Sequence, residues 1–335
     1  MAVINGLSTF EQHVFATLAF GVIGDAIGSP TELQEPEEIE RRFGWVETFE
    51  GDGTDDVIMR DLLAAALIET EGYATADDWA AQWVKHRAMI FGDKAERFFP
   101  SILHAAEKLA RGYVPRIIAE GTMPTTTSAM AIAPVGIVNA GHPRAAAAQA
   151  TEIASLVHVT NVGFCQDGAA AIAAAIAAAL SSGATVESVL QTAIGNIKSW
   201  SGGEMRSLIG DALDLAKSSD DFKLFRKAYH ERFRRAVICD SRETIPAALA
   251  IVWLADGDPW KAVVLSANFG RDTDTIGCIA GGICGALAGL TLETTARIGE
   301  LSDKARADQL KLAKGLAAIR HHKGRKETIA WSNGI

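Results

Sequence analysis

Strand patterns are scarce in this sequence. The best alternating stretch is "WVETFEGDG" at 45–53, and little else resembles it. A sheet-based architecture is therefore not expected. Positive charge is short as well. Lys and Arg number 32 against 41 Asp and Glu, a net charge of -9. That argues against a nucleic-acid partner, because phosphate binding needs a basic surface. The basic "RHHKGRK" near the C-terminus is short, lacks interleaved aromatics and reads as a solvated helix end. Only four cysteines are present. Cys165 and Cys239 stand alone, and Cys278 and Cys284 lack zinc spacing. They read as buried thiols in a reducing compartment, so a cytoplasmic location is expected. "MAVINGLSTFEQ" has no charged region ahead of an apolar one, and no signal peptide is expected. The longest apolar stretch, "GAAAIAAAIAAALSSGA" (168–184), is mostly alanine and too short for a bilayer, so no membrane partner is expected. No repeat of fixed period and no low-complexity linker interrupts the chain.

Helical periodicity is what the sequence has. "STFEQHVFATLAFGVIGDAIG" opens with Ser8 and Glu11 at capping-box spacing, and Phe10, Val14, Phe15 and Leu18 follow at helical intervals. "TDDVIMRDLLAAALIETEG" starts with Thr54 as a predicted N-cap and stops at Gly72. "TADDWAAQWVKHRAMI", "AERFFPSILHAAEKLARG", "RAAAAQATEIASLVHV" and "TIPAALAIVWLA" read as further helices. The composition, 48% hydrophobic and 22% charged, is that of a soluble globular protein. A compact all-α single domain over 1–335 is the natural expectation.

One stretch raises a question. "GRDTDTIGCIAGGICGALAG" (270–289) crowds Asp272, Asp274 and Thr275 against the start of an apolar helix. Within it Gly277, Gly281, Gly285 and Gly289 recur every fourth residue and form one bare stripe. Glycine costs about 1 kcal/mol per helix position relative to alanine, so the stripe predicts a second helix packed at very short distance. "GTDDVIM" repeats the logic at Thr54, Asp55 and Asp56. Threonine and aspartate are good caps, and carboxylates suit the positive end of a helix dipole. They also suit a cation. If the two helix starts face each other, four carboxylates and two hydroxyls converge, and hard ions such as Mg²⁺ take such oxygens. Two metals about 3.5–4 Å apart can clamp and polarise a substrate. "GDAIGSPTE" adds Asp25, which can cap or brace its turn, and Glu32 on a loop.

"GDAIGSPTE", "GTDDVIM" and "GRDTDTIGCIAGGICGALAG", in this order, resemble the ADP-ribosylglycohydrolase family. "SAMAIAPVGIV" (128–138) and "VHVTNVGFCQDGAAAIAAAI" (157–176) are similar to it too. The resemblance implies an orthogonal helical bundle with a dinuclear Mg²⁺ site, Mn²⁺ being the other ion it admits. It implies Thr54, Asp55, Asp56, Asp272, Asp274 and Thr275 as ligands and Glu32 on the loop nearest the ribose. The implied reaction is hydrolysis of a ribosyl bond at C1, with ADP-ribosyl or other ribosyl compounds as substrate. Positive charge builds on the sugar ring in such a reaction. A carboxylate of the cluster, Asp55 or Asp274, or else Glu32, can take the proton of the attacking water. Thr125, Thr126, Thr127 and Ser128, with nearby helix-start amides, can cradle an anion. His158 either contacts a phosphate or ring, or is a structural histidine. Asp167 either caps the alanine-rich helix or lines the cleft, and Asp93 is an acid, a base or a cap. Ala131 follows Met130 where relatives often carry an arginine, which removes a donor from a diphosphate clamp; an arginine there would be tolerated if the position faces the cleft. Two alternatives stand beside removal of ADP-ribose: a hydrolase of a smaller N-ribosyl compound or nucleoside, and a catalytically silent member.

Overall fold

The computed structural model describes residues 6–93, 95–200 and 202–332. Among these the chain forms 18 α-helices, four short 3-10 turns and no strand. The stretch at 45–53 is irregular. The reason is a long-range substitute for a strand partner. Asn268 accepts from the Val46 amide at 2.9 Å and donates to the Val46 carbonyl at 2.7 Å. Those backbone groups are satisfied by one side chain, and no ladder is needed.

The Thr9–Gly28 helix is capped as its sequence predicts. Ser8 accepts from the Glu11 amide at 3.3 Å, and the Glu11 carboxylate accepts from the Ser8 amide at 2.8 Å. It and the Thr160–Ala179 segment are long and apolar enough to cross a membrane by length and composition. In this fold 89% and 78% of their apolar windows are buried inside the protein, so both are core helices here. The helix is shifted from the 168–184 stretch: it begins at Gly163 behind a 3-10 turn and ends at Ala179.

The glycine helix, Thr273–Ala288, packs antiparallel along Thr9–Gly28. A Cβ on Gly277 would lie 2.4 Å from the Gly24 carbonyl oxygen, one on Gly281 2.5 Å from that of Phe20, and one on Gly285 2.5 Å from that of Ala16. Backbone meets backbone through three turns. The antiparallel sense has a consequence for the chemistry: the C-terminal end of the first helix and the N-terminal end of the glycine helix finish side by side. Gly28 lies directly against Asp274, where a Cβ would meet the Asp274 amide nitrogen at 2.4 Å.

Candidate metal centre

Three helix ends meet at one place. The first supplies Asp25 and, beyond the Ser29–Thr31 turn, Glu32. The second is the start of Asp55–Glu69, and the third the start of the glycine helix. Asp25 joins the first two. It is fully buried and accepts from the Thr54 amide at 2.7 Å, the Thr54 hydroxyl at 2.8 Å and the Val57 amide at 3.1 Å. Gly53 (φ +88°) permits this, since a Cβ there would lie 2.8 Å from an Asp25 oxygen. Thr54 stands at the N-cap position but makes no side-chain cap bond. Asp25, 29 residues earlier, accepts from Thr54 and Val57 instead.

The loop carrying Glu32 is pinned, not free. The Thr31 hydroxyl meets the carbonyls of Gly28 and Ala267, both at 2.9 Å. Leu33 donates to the Arg271 carbonyl and Arg271 donates to the Gln34 carbonyl, both at 2.8 Å. Arg271 takes an unusual φ of +68° to do so, and its buried guanidinium holds Glu243 and the Arg235 carbonyl. This arginine of the "GRDTDT" motif therefore braces two loops, a role its sequence context does not reveal.

Asp272 is the N-cap residue of the glycine helix and also makes no cap bond. Its carboxylate turns to Thr244 at 2.6 Å and Thr126 at 3.3 Å. Oxygens of Glu32, Asp272 and Asp274 come within 4.8 Å of one another, an acidic group able to hold a metal ion. Asp55, Asp56 and Thr275 line the same small cavity, of about 30 Å³. Thr275 donates to one Asp56 oxygen at 3.4 Å, while Asp56 Oδ1 is buried without any hydrogen-bond partner. A buried carboxylate oxygen without a donor is costly, and a cation would relieve it. The donor set of carboxylates and hydroxyls is the one hard divalent ions prefer. Residues and ion fit.

Electrostatics agree. Burial and then the neighbouring carboxylates push Glu32 up to about 7. Burial pushes Asp272 up to about 6 despite its threonine donors. Asp55, Asp56 and Asp274 are raised well above the ordinary range, first by burial and then by like charge. The cluster cannot be fully ionised on its own at neutral pH. The two helix N-termini pointing at it help, but each amounts to only about half a charge.

The remaining sequence candidates divide. Thr126 and Thr127 line the cavity with Thr125. Ser128 and His158 do not. His158 is fully buried behind the threonines, its Nε2 against Thr125 Oγ1 at 3.0 Å and its Nδ1 against Ser128 Oγ at 2.8 Å. Burial lowers it to about 3, so it is a neutral brace for the loop. Asp167 is buried beside Gly202, in the field of Lys198 and Arg206, and does not line the cavity. Asp93 is exposed and also outside it. Thr54 stands behind Asp55, its hydroxyl proton given to Asp25. Arg97, Phe99 and Ile102 line the cavity without having been singled out by the sequence. A second cavity of about 290 Å³ adjoins it across Ile102, Thr125 and Thr127 and is lined by Ser101, His104 and Lys108 among others.

Ala131 corrects an expectation. It is fully buried in the core and does not line the cavity. Ala131→Arg is therefore expected to lower the melting temperature sharply, since an unpaired buried charge costs several kcal/mol. A thermal melt checks this; an unchanged midpoint would mean that the side chain finds a route to the cleft.

The profile of the ADP-ribosylglycohydrolase family matches residues 7–325. The chain belongs to that family. Membership makes it a glycosidase, a hydrolase of glycosidic bonds, and the all-helical fold is that of a family relative. It is 27% identical to the uncharacterized protein YegU of Escherichia coli (strain K12), over 93% of this chain and 98% of that protein. Its fold is similar to a solved ADP-ribosylglycohydrolase-related protein complex, with a TM-score of 0.65 at 19% identity over 94% of this chain and 100% of the other.

Proposed function

We propose that this glycohydrolase is magnesium-dependent and removes ADP-ribose from a protein or small-molecule acceptor at a two-ion site. One observation carries the reading: Asp272 occupies a cap position, makes no cap bond, and turns toward a cluster in which Asp56 Oδ1 has no donor. A side-chain cap therefore does not explain Asp272, and Asp25 takes over the capping of the Asp55–Glu69 helix. Asp55, Asp56 and Thr54 from one helix start, and Asp272, Asp274 and Thr275 from the other, would hold the ions. When bound, Mg²⁺ supplies charge neutralisation and fixes oxygen-bearing groups of a sugar.

The chain's own residues then divide the work. Glu32 shares the cavity with the ligands yet is only half-buried, which leaves its carboxylate open to a water. It takes the proton of the water that attacks C1 of the ribose as the bond from C1 to the acceptor breaks, and that proton passes on to the departing acceptor. Asp55 and Asp274 hold the negative charge that favours an oxocarbenium-like sugar in the transition state. Thr126, tied to Asp272, shapes the wall of the cavity. A smaller N-ribosyl compound is the second reading. It is favoured by the small cavity at the cluster, about 30 Å³.

Calorimetric titration with Mg²⁺ or Mn²⁺ should give a stoichiometry near two and a higher melting temperature. No binding at millimolar metal would sink the cage. A pH series sharpens the test. Glu32 at about 7 and Asp272 at about 6 stand above their ordinary values of 4.5 and 3.8. Their contribution to stability is fully present below about pH 4 and is lost progressively as pH rises from there through 6 to 7. In chelator, the melting temperature should therefore fall by several degrees between those pH values. Saturating Mg²⁺ should flatten that trend, because it favours the ionised carboxylates. The same slope with and without metal would mean that the carboxylates are not its ligands.

A further inference from the structure

The charged residues lining the cavity are acidic with one exception. Arg97, at the end of the Ala95–Arg97 turn, is the single lysine or arginine among its described lining residues. Other arginines close to the core are saturated by carboxylates and carbonyls. Arg60 holds Asp61, Gln309 and the Leu18 carbonyl, and Arg271 holds Glu243 and the Arg235 carbonyl. Arg97 makes one hydrogen bond among the described residues, to Ser29 Oγ at a long 3.3 Å, and pairs with no carboxylate. A guanidinium has five N–H donors in a planar fork that matches phosphate oxygens bidentately. Most of that fork is unused. The side chain is exposed, but its segment is anchored, since Phe98 next to it is in the core and Ile102 is buried in the cavity wall.

We propose that Arg97 is the specificity-determining residue that binds a phosphate carried on C5 of the ribose. The inference rests on the ribose-binding metal cage and extends it to the substrate's anionic end. A sugar held by the acidic cluster needs a separate cation for its phosphate, because the carboxylates repel one. Within the described lining, Arg97 is the residue that supplies it. Phe99 beside it adds an apolar edge. The chemistry is shared by two sources, a 5-phosphorylated ribose with a small leaving group and the diphosphate of ADP-ribose.

Binding of D-ribose, ribose 5-phosphate and ADP-ribose should be compared by calorimetry at saturating Mg²⁺, in the wild type, Arg97→Gln and Arg97→Lys. The wild type should bind both phosphate-bearing probes at least tenfold more tightly than ribose. Arg97→Gln should lose that preference without weakening ribose, and Arg97→Lys should keep part of it. Ribose 5-phosphate binding as tightly as ADP-ribose would support the proposal with a monophosphate source. Tighter ADP-ribose, again lost in Arg97→Gln, would support it with the diphosphate. Equal affinity for ribose and ribose 5-phosphate in the wild type overturns the proposal, as does an undiminished preference in Arg97→Gln. Absence of Mg²⁺-dependent binding for all three probes overturns the cage reading itself, a different failure that the metal titration also registers.

Discussion

Asp274→Asn is expected to abolish turnover of an ADP-ribosyl substrate while the protein stays folded. Asparagine has the shape of aspartate and can keep the bond that Asp274 Oδ1 accepts from the Thr275 amide at 2.9 Å. What it loses is the charge. Asp274 is buried, and Glu32, Asp56 and Asp272 all raise its pKa. Removing one member of a mutually repelling cluster relieves strain in the metal-free protein. The melting temperature in chelator should therefore stay level or rise, while the extra stability gained from Mg²⁺ shrinks. Loss of even an outer partner of a metal ligand costs about 10–100-fold, so loss of a ligand should cost at least about 100-fold in rate. A variant that kept most of its activity would remove Asp274 from the ligand set. This combination, a quieter apo protein with no catalysis, separates a metal ligand from a structural carboxylate.

The second large effect is structural. Gly281→Leu should leave little folded protein. Its first added atom would lie 2.5 Å from the Phe20 carbonyl oxygen and 2.7 Å from a Val263 methyl. The obstacle on one side is backbone, which cannot rotate away. Overpacking typically costs about 1–3 kcal/mol, and here the helix pair would have to separate along its length, so more is expected. Gly282→Ala is the internal control. It is the next residue, its Cβ would meet only the Thr17 carbonyl oxygen at 3.6 Å, and alanine gains about 1 kcal/mol of helix propensity. Soluble yield and thermal melts of the two variants should diverge strongly. A normal melting temperature for Gly281→Leu would mean that the two helices are less tightly joined than their backbones indicate.

Much of this was legible in the sequence, and the limits are physical. Gly277, Gly281 and Gly285 show a close helix contact because a four-residue period has one geometric meaning, while Gly289, the fourth of the series, lies past the helix end at φ +63° and against the His13 ring. The stripe could not name the partner, since Gly24 and Phe20 lie some 250 residues earlier and carry no mark of facing it. The Ser8–Glu11 box was readable because both its bonds are local. Thr54 misled for a related reason. A cap position and a cap bond look the same in sequence, and only folding brings Asp25 across to take the hydroxyl. Two acidic motifs ahead of two helices pointed to a cluster, and the fold brings Asp55, Asp56, Asp272 and Asp274 around one cavity. At single residues the sequence leaves alternatives open: His158, in the link between two helical segments, is the structural histidine, and Asp167 lies outside the cavity because residue type does not say which way a helix faces. The braces of the site, Thr244 and Arg271, and its lone cation, Arg97, were passed over because each acts through contacts far along the chain. The 45–53 stretch alternates as a strand would, yet Asn268 had already satisfied its backbone.

The contact between Gly24 and Gly277 also sets a length. From that point the first helix runs one more turn to Gly28, and a fixed count of residues follows to Glu32; from the same point the glycine helix runs back to Asp274 and Asp272. Inserting or deleting one residue in either span would rotate the helix end by about 100°. Glu32 or Asp274 would then face away from the cluster with its chemistry unaltered. These two stretches are therefore intolerant of changes in length as well as identity. Variation that alters substrate while sparing the centre has more room in the wall around residues 97–102, which carries none of the acidic groups of the cavity.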